Sequence, residues 1–173
     1  MKKFIIGLIG ISIRIAIFCT PVIAFAGGLS GDHCSQCDIT GAVIDEGVYK
    51  GYSFSYSTLD EVNFKNVTFE KTKFNNSSLS NLVVNNSKFI KSKFDVVDLT
   101  ESKFVDSDFS KSSFSYSDLS ESVFNNVLFV DTKSNNSDFS EIIMEKVTLD
   151  ESNFNVSDFS NSKITDSSLS DIS

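Results

Sequence analysis

The stretch FSYSDLSESVFNNVLFV, Phe114 to Val130, places a large apolar residue at Phe114, Leu119, Phe124 and Phe129, with mostly polar residues between. A spacing of five is neither the helix period of 3.6 nor the strand period of 2. The register extends in both directions. Calling the apolar position a centre, centres fall at every residue number ending in 4 or 9, from Ile39 to Leu169. The chain has 17 phenylalanines; the 14 beyond residue 26 all occupy centres. The position two before the centre is mostly small or aliphatic, as at Ser102, Ser107, Ser117, Ser122 and Val127.

Two inward positions per five residues require a chain that turns a corner every five residues. Four such sides close a coil of 20 residues, and successive coils stack at the β-sheet spacing of ~4.8 Å. The centres Phe54, Leu59, Phe64, Phe69, Phe74, Phe94, Phe104, Phe109, Phe114, Leu119, Phe124 and Phe129 are expected to fill the interior. The small residue two positions earlier is expected beside the corner, where bulk would clash. The period of 20 is visible directly: Leu59, Leu79, Leu99 and Leu119 form one column, and Phe54, Phe74, Phe94 and Phe114 another. A longer repeat overlies it, residues 54–113 aligning without gaps to 114–173 with 26 of 60 identical. Ser134 breaks the pattern where Phe74 stands in the first half. A drifted core position and a local outward bulge both fit; for the former, Ser134→Phe should raise the melting temperature.

On these residues the chain resembles the pentapeptide-repeat proteins, over about residues 34–173. The resemblance implies an all-β, right-handed quadrilateral β-helix of about seven coils. Ser-x-Phe dominates here, making this a Phe-rich variant, and Asp98, Asp108, Asp118, Asp138 and Asp158 occupy the family's acidic slot beside the centre. The division expected is a signal peptide over 1–26, an N-terminal cap over 27–38 and the β-helix over 39–173.

The signal reading rests on Lys2 and Lys3, the apolar stretch Ile15 to Ile23, and the small-x-small site Ala24-Phe25-Ala26. Cleavage after Ala26 gives an exported protein, periplasmic or secreted, with no membrane span after processing. The whole chain carries a formal charge of −8; without Lys2, Lys3 and Arg14 it has 12 lysines against 23 acids, net −11. Such a charge disfavours nucleic acid and anionic membranes as partners. The only proline, Pro21, lies in the signal and the last glycine is Gly51. A coil that makes its own corners needs no Gly-Pro loops.

Candidate chemistry is sparse. His33, the only histidine, precedes Cys34 and Cys37, the only cysteines beyond the signal. In an exported protein this CxxC reads first as a structural disulfide or buried thiol pair. A redox motif lacks the helix start it needs, and a metal site would have only three ligands. No hydrolase constellation or phosphate loop is present, so neither enzyme activity nor a cofactor is expected. The surface offers a column of Glu61, Glu101, Glu121 and Glu141, a lysine column of Lys71, Lys91 and Lys111, and a Tyr56/Tyr116 pair recurring with the 60-residue period. These mark either a solvated face or a docking strip for an unknown protein partner. The register runs to the final SSLSDIS, leaving an open β edge, so an end-to-end homodimer through the C-terminal coil is expected. The primary functional expectation is a non-catalytic structural or protein-interaction module. The alternative, which the resemblance implies, is an acidic DNA mimic that binds a DNA-binding protein such as gyrase. Net −11 over seven coils is about one charge per 3 Å, roughly half the density of duplex DNA, which carries one per ~1.7 Å.

Overall fold

The computed structural model describes residues 29–30 and 34–173; the expected signal peptide lies outside the described residues. They form a parallel β-solenoid, and none of them is helical. The strands are β1 (Leu29–Ser30), β2 (Val43–Lys50), β3 (Asn63–Glu70), β4 (Val83–Asn85), β5 (Lys88–Ile90), β6 (Lys103–Asp108), β7 (Val123–Leu128), β8 (Ile143–Glu145) and β9 (Lys163–Thr165). Every pairing is parallel with an offset of 20, as in Phe64↔Val84 and Phe104↔Phe124. On another side, Asp38, Thr58, Ser78, Asp98, Asp118, Asp138 and Asp158 are joined in turn, marking six successive steps. The β-helix therefore has about six turns between its first and last paired coils.

We name its four faces by their centres: the Phe54, Leu59, Phe64 and Phe69 faces. The continuous strands lie on the last two. The centres are inside, and those from Ile44 to Leu149 are at most 4 % exposed. Their rings stack along the axis. Phe54, Phe74, Phe94 and Phe114 lie 5.2, 4.6 and 4.8 Å apart, and Phe104 and Phe124 lie 4.8 Å apart with planes 3° from parallel. Neighbouring columns meet edge to face, as Phe104 does Phe109 at 5.4 Å, the arrangement favoured by ring quadrupoles. Ser134 is 0 % exposed and points inward, so the chain does not bulge there. Its hydroxyl has no hydrogen-bond partner.

The corners have one cause. From Gln36 to Asp171, every fifth residue has φ between 47° and 68°. This left-handed conformation turns the chain through a corner between one extended side and the next. Asn, Asp and Gly tolerate it best, which explains Gly41, Gly51, Asn66, Asn76, Asn86 and Asp106 at such positions. Gly47, with φ of 150°, has a separate reason: a Cβ there would stand 2.9 Å from the Tyr49 ring.

The small position does more than avoid a clash. The backbone N–H of Leu82 donates to Ser102 Oγ at 3.0 Å, and that hydroxyl donates to the Leu79 carbonyl at 3.3 Å. Val97, Ser117 and Phe94 repeat the relation, as do Ser102, Ser122 and Leu99. Each serine thus links its coil to the one before and satisfies inward backbone groups that would otherwise be buried without partners.

Candidate interaction surface

With centres and serines turned inward, the other three residues of each repeat face outward in columns. Four corner columns and four faces make up the surface. The Tyr56 corner, between the Phe54 and Leu59 faces, carries Tyr56, Asn76, Val96, Tyr116, Asn136 and Val156. Tyr56, Val96, Tyr116 and Val156 are 65, 52, 66 and 85 % exposed, more than any other large apolar residue described. They also hold the left-handed conformation, at φ of 60–62°, that costs a bulky or β-branched side chain ~1–2 kcal/mol. The tyrosine pair was legible in the sequence; the two valines beside it were not singled out, although the same 20-residue spacing gives them.

Glu61, Glu101, Glu121 and Glu141 line the next corner with Asn81 and Asn161, all exposed. The Leu59 face lies between them and the tyrosines, so the two sets form separate strips rather than one site. None of the four glutamates makes an ion pair among the described residues. The Leu59 face carries the aspartate ladder. Asp98 Oδ1 accepts from the Thr100 N–H at 3.0 Å, and Asp118, Asp138 and Asp158 accept alike from Ser120, Ser140 and Ser160. These acids hold turns. Asp38 does the same at the first coil; the Thr40 hydroxyl and N–H hold its carboxyl below the usual aspartate range.

The asparagines bond between coils, Asn86 Nδ2 donating to Asn66 Oδ1 at 2.8 Å and Asn126 Nδ2 to Asp106 Oδ1 at 2.7 Å. The fourth corner carries Lys71, Lys91 and Lys111, followed by Asp131, Glu151 and Asp171. Beside it a shallow groove is lined by Lys91, Lys93, Lys111, Asp131 and Lys133.

At the N-terminal end a disulfide joins Cys34 and Cys37, with Cα atoms 5.5 Å apart. Cys34 packs against the core. Among the described residues no group of His, Cys, Asp and Glu is placed to hold a metal ion. The first aromatic centre, Tyr49, has its phenol pKa pushed up to about 12 by burial, so it stays protonated.

Residues 62–139 match the pentapeptide repeat region. That segment is a pentapeptide-repeat region, and the solenoid has the fold of pentapeptide-repeat proteins. Such proteins are in general non-catalytic structural modules. Among curated proteins there is no match. Solved structures with the same fold include trypsin-treated QnrB1, a plasmid-mediated fluoroquinolone resistance protein, at 18 % identity and a TM-score of 0.52, over 86 % of this chain and 73 % of that one. A pentapeptide repeat protein from the Arabidopsis thaliana thylakoid lumen is 18 % identical with a TM-score of 0.37, over 81 % and 70 %. HetL, involved in heterocyst differentiation regulation in the cyanobacterium Nostoc sp. strain PCC 7120, is 12 % identical with a TM-score of 0.37, over 84 % of each chain. The likeness to QnrB1 concerns the fold. No described helix is long and apolar enough to cross a membrane.

Proposed function

We propose that this chain is an exported, non-catalytic pentapeptide-repeat rod that presents a fixed row of side chains to a protein partner. The observation that supports this most is the Tyr56 corner: its four apolar residues are the most exposed of their kind and stand where asparagine or glycine would cost less. Strain of this sort persists where something else holds it, and tyrosine is enriched in protein interfaces. Export is part of the proposal, from the Lys2-Lys3 start and the Ala24-Phe25-Ala26 site. An end-to-end homodimer through the C-terminal coil is a further element. There Phe154, Phe159 and Ile164 are only partly buried, and Leu169 and Ile172 are each 42 % exposed.

The test is fractionation of the native cells with N-terminal sequencing of the processed chain. Cross-linking in the extracytoplasmic fraction follows, comparing the natural protein with Tyr56→Ser/Tyr116→Ser. The reading expects a chain beginning at Gly27 and an adduct lost in the double variant. Unprocessed cytoplasmic protein would overturn it. The second reading, an acidic DNA mimic acting on gyrase, draws on the fold likeness to QnrB1 and on the Glu61 column; inhibition or protection of gyrase supercoiling by the purified chain distinguishes it.

A further inference from the structure

The Lys71 corner reads, one residue per coil, Lys71, Lys91, Lys111, Asp131, Glu151 and Asp171, all exposed. In the 60-residue duplication all three lysines are replaced by acids: Lys71 aligns with Asp131, Lys91 with Glu151 and Lys111 with Asp171. Elsewhere the duplication is kinder. The Tyr56 corner is unchanged at all three aligned positions, and the Asn66 corner at two of three. One edge of the rod therefore changes sign halfway along. Within the chain this produces a single contact, Lys111 Nζ to Asp131 at 3.9 Å, at the point of reversal. The outer charges, Lys71, Lys91, Glu151 and Asp171, make no ion pair among the described residues.

A block of three positive charges followed by three negative ones at equal spacing is complementary to itself when reversed. A two-fold axis perpendicular to the rod, lying in the contact plane and passing between Lys111 and Asp131, places each edge against the same edge of a second copy, upside down. Lys71 then meets Asp171 of the second copy, Lys91 meets Glu151, and Lys111 meets Asp131, each pair occurring twice.

The operation can be checked on the rest of the face. The Phe54 face runs from this edge to the Tyr56 corner. The same rotation sets Val96 against Val156 of the second copy and Tyr116 against Asn136 at that far corner. Along the middle of the face it sets Lys93 against Asn153 and Ser113 against Lys133. No position opposes a like charge. Two valines left exposed on the free chain gain apolar neighbours.

From this we infer that the Phe54 face is a self-association surface, pairing two copies of the chain side by side and antiparallel. The inference goes beyond the interaction rod proposed above and does not depend on it, since it needs no foreign partner. It also differs from end-to-end pairing, which uses the C-terminal coil. Exposed ion pairs are individually weak and screened by salt, so the pairing is expected at low ionic strength and high protein concentration.

The test is sedimentation velocity and light scattering on the signal-free chain at about 10 mM and about 1 M salt, where the Debye length falls from ~30 to ~3 Å. The natural protein should dimerise at low salt and dissociate at high salt. Lys71→Glu/Lys91→Glu/Lys111→Glu and Asp131→Lys/Glu151→Lys/Asp171→Lys should each weaken self-association about tenfold or more. An equimolar mixture of the two should form a heterodimer, and the six-site swap should dimerise again. Corners of this fold already accept both glutamate and lysine, and unchanged circular dichroism verifies folding. A monomer at every concentration in low salt overturns the inference. So does a dimer indifferent to both triple reversals, which would assign the contact to the C-terminal coil.

Discussion

The middle coils and the last coil follow one rule with different material. Around Phe104, the four centres of a turn are Phe104, Phe109, Phe114 and Leu119, none more than 1 % exposed. The turn beginning at Ser134 has Ser134, Phe139, Met144 and Leu149. The next has Phe154, Phe159, Ile164 and Leu169, partly buried or exposed. The backbone ladder continues unchanged, Leu149 N–H donating to the Ser168 carbonyl at 2.9 Å and Phe154 N–H to that of Ser173 at 2.6 Å. What differs is cover. A coil with neighbours on both sides buries its centres completely; the final one has a neighbour on one side. In a solenoid stability is a nearest-neighbour property, and position in the stack sets the worth of a side chain more than its identity does.

The comparison can be broken most forcefully by truncation. Phe109→Ala should cost about 3–5 kcal/mol in chemical denaturation. Leu169→Ala, a comparable loss of bulk at the open end, should fall within ~1 kcal/mol, since an exposed side chain has little burial to lose. Equal losses would refute the nearest-neighbour account. At the opposite end, reducing the Cys34–Cys37 disulfide should lower stability by about 2 kcal/mol, the loop-closure value for so short a ring, read as a melting shift with and without reductant.

Subtler changes sharpen the contrast. Ser134→Ala removes a buried hydroxyl without a partner and should stabilise by about 1 kcal/mol. Ser134→Phe continues the ring stack of Phe54, Phe74, Phe94 and Phe114, and should raise the melting temperature further. A fall would mean that Phe139 has already taken the space. Val96→Asn should stabilise by about 1 kcal/mol by suiting the left-handed corner. Val156→Asn should gain less, because its coil is held on one side only.

The smallest effect is in pH. Asp38 in the first coil and Asp150 near the end both have carboxyls held below the ordinary value of 3.8. At Asp150 the donors are first the Ser168 hydroxyl and then the Ser170 N–H. A depressed folded-state value means that the charged form favours folding. Its contribution is therefore present above pH ~4 and lost as the pH falls further. Asp150→Asn should flatten that acid limb slightly, and a steeper loss in the variant would contradict the assignment.

The core was legible, Ser134 apart, because burial alternates with a period that no helix or strand shares; Phe104 and Leu119 could be placed inside from spacing alone. The corners were less so. An apolar pattern says which residues face inward, not which backbone angle joins the sides. The signal was present in the Asn, Asp and Gly at numbers ending in 1 and 6, but Glu61 and Lys71 in the same slots dilute it. The serines were readable as small, while their hydroxyl bonds, such as Ser117 to the Phe94 carbonyl, depend on a neighbouring coil that only the stack supplies. The surface strips were partly visible as columns. Which of them share a face, and so which charges can meet one partner together, follows only once the four corners are fixed.

The serine bonds and the backbone ladder tie each turn only to its immediate neighbours, and among the described residues no segment threads back through the stack. Pulled from its two ends, such a molecule would unspool rather than shatter. Each released turn exchanges ~4.8 Å of rod for 20 residues of free chain, a gain on the order of 60 Å. The C-terminal turn, with the least to hold it, would let go first, giving a stepwise extensible tether.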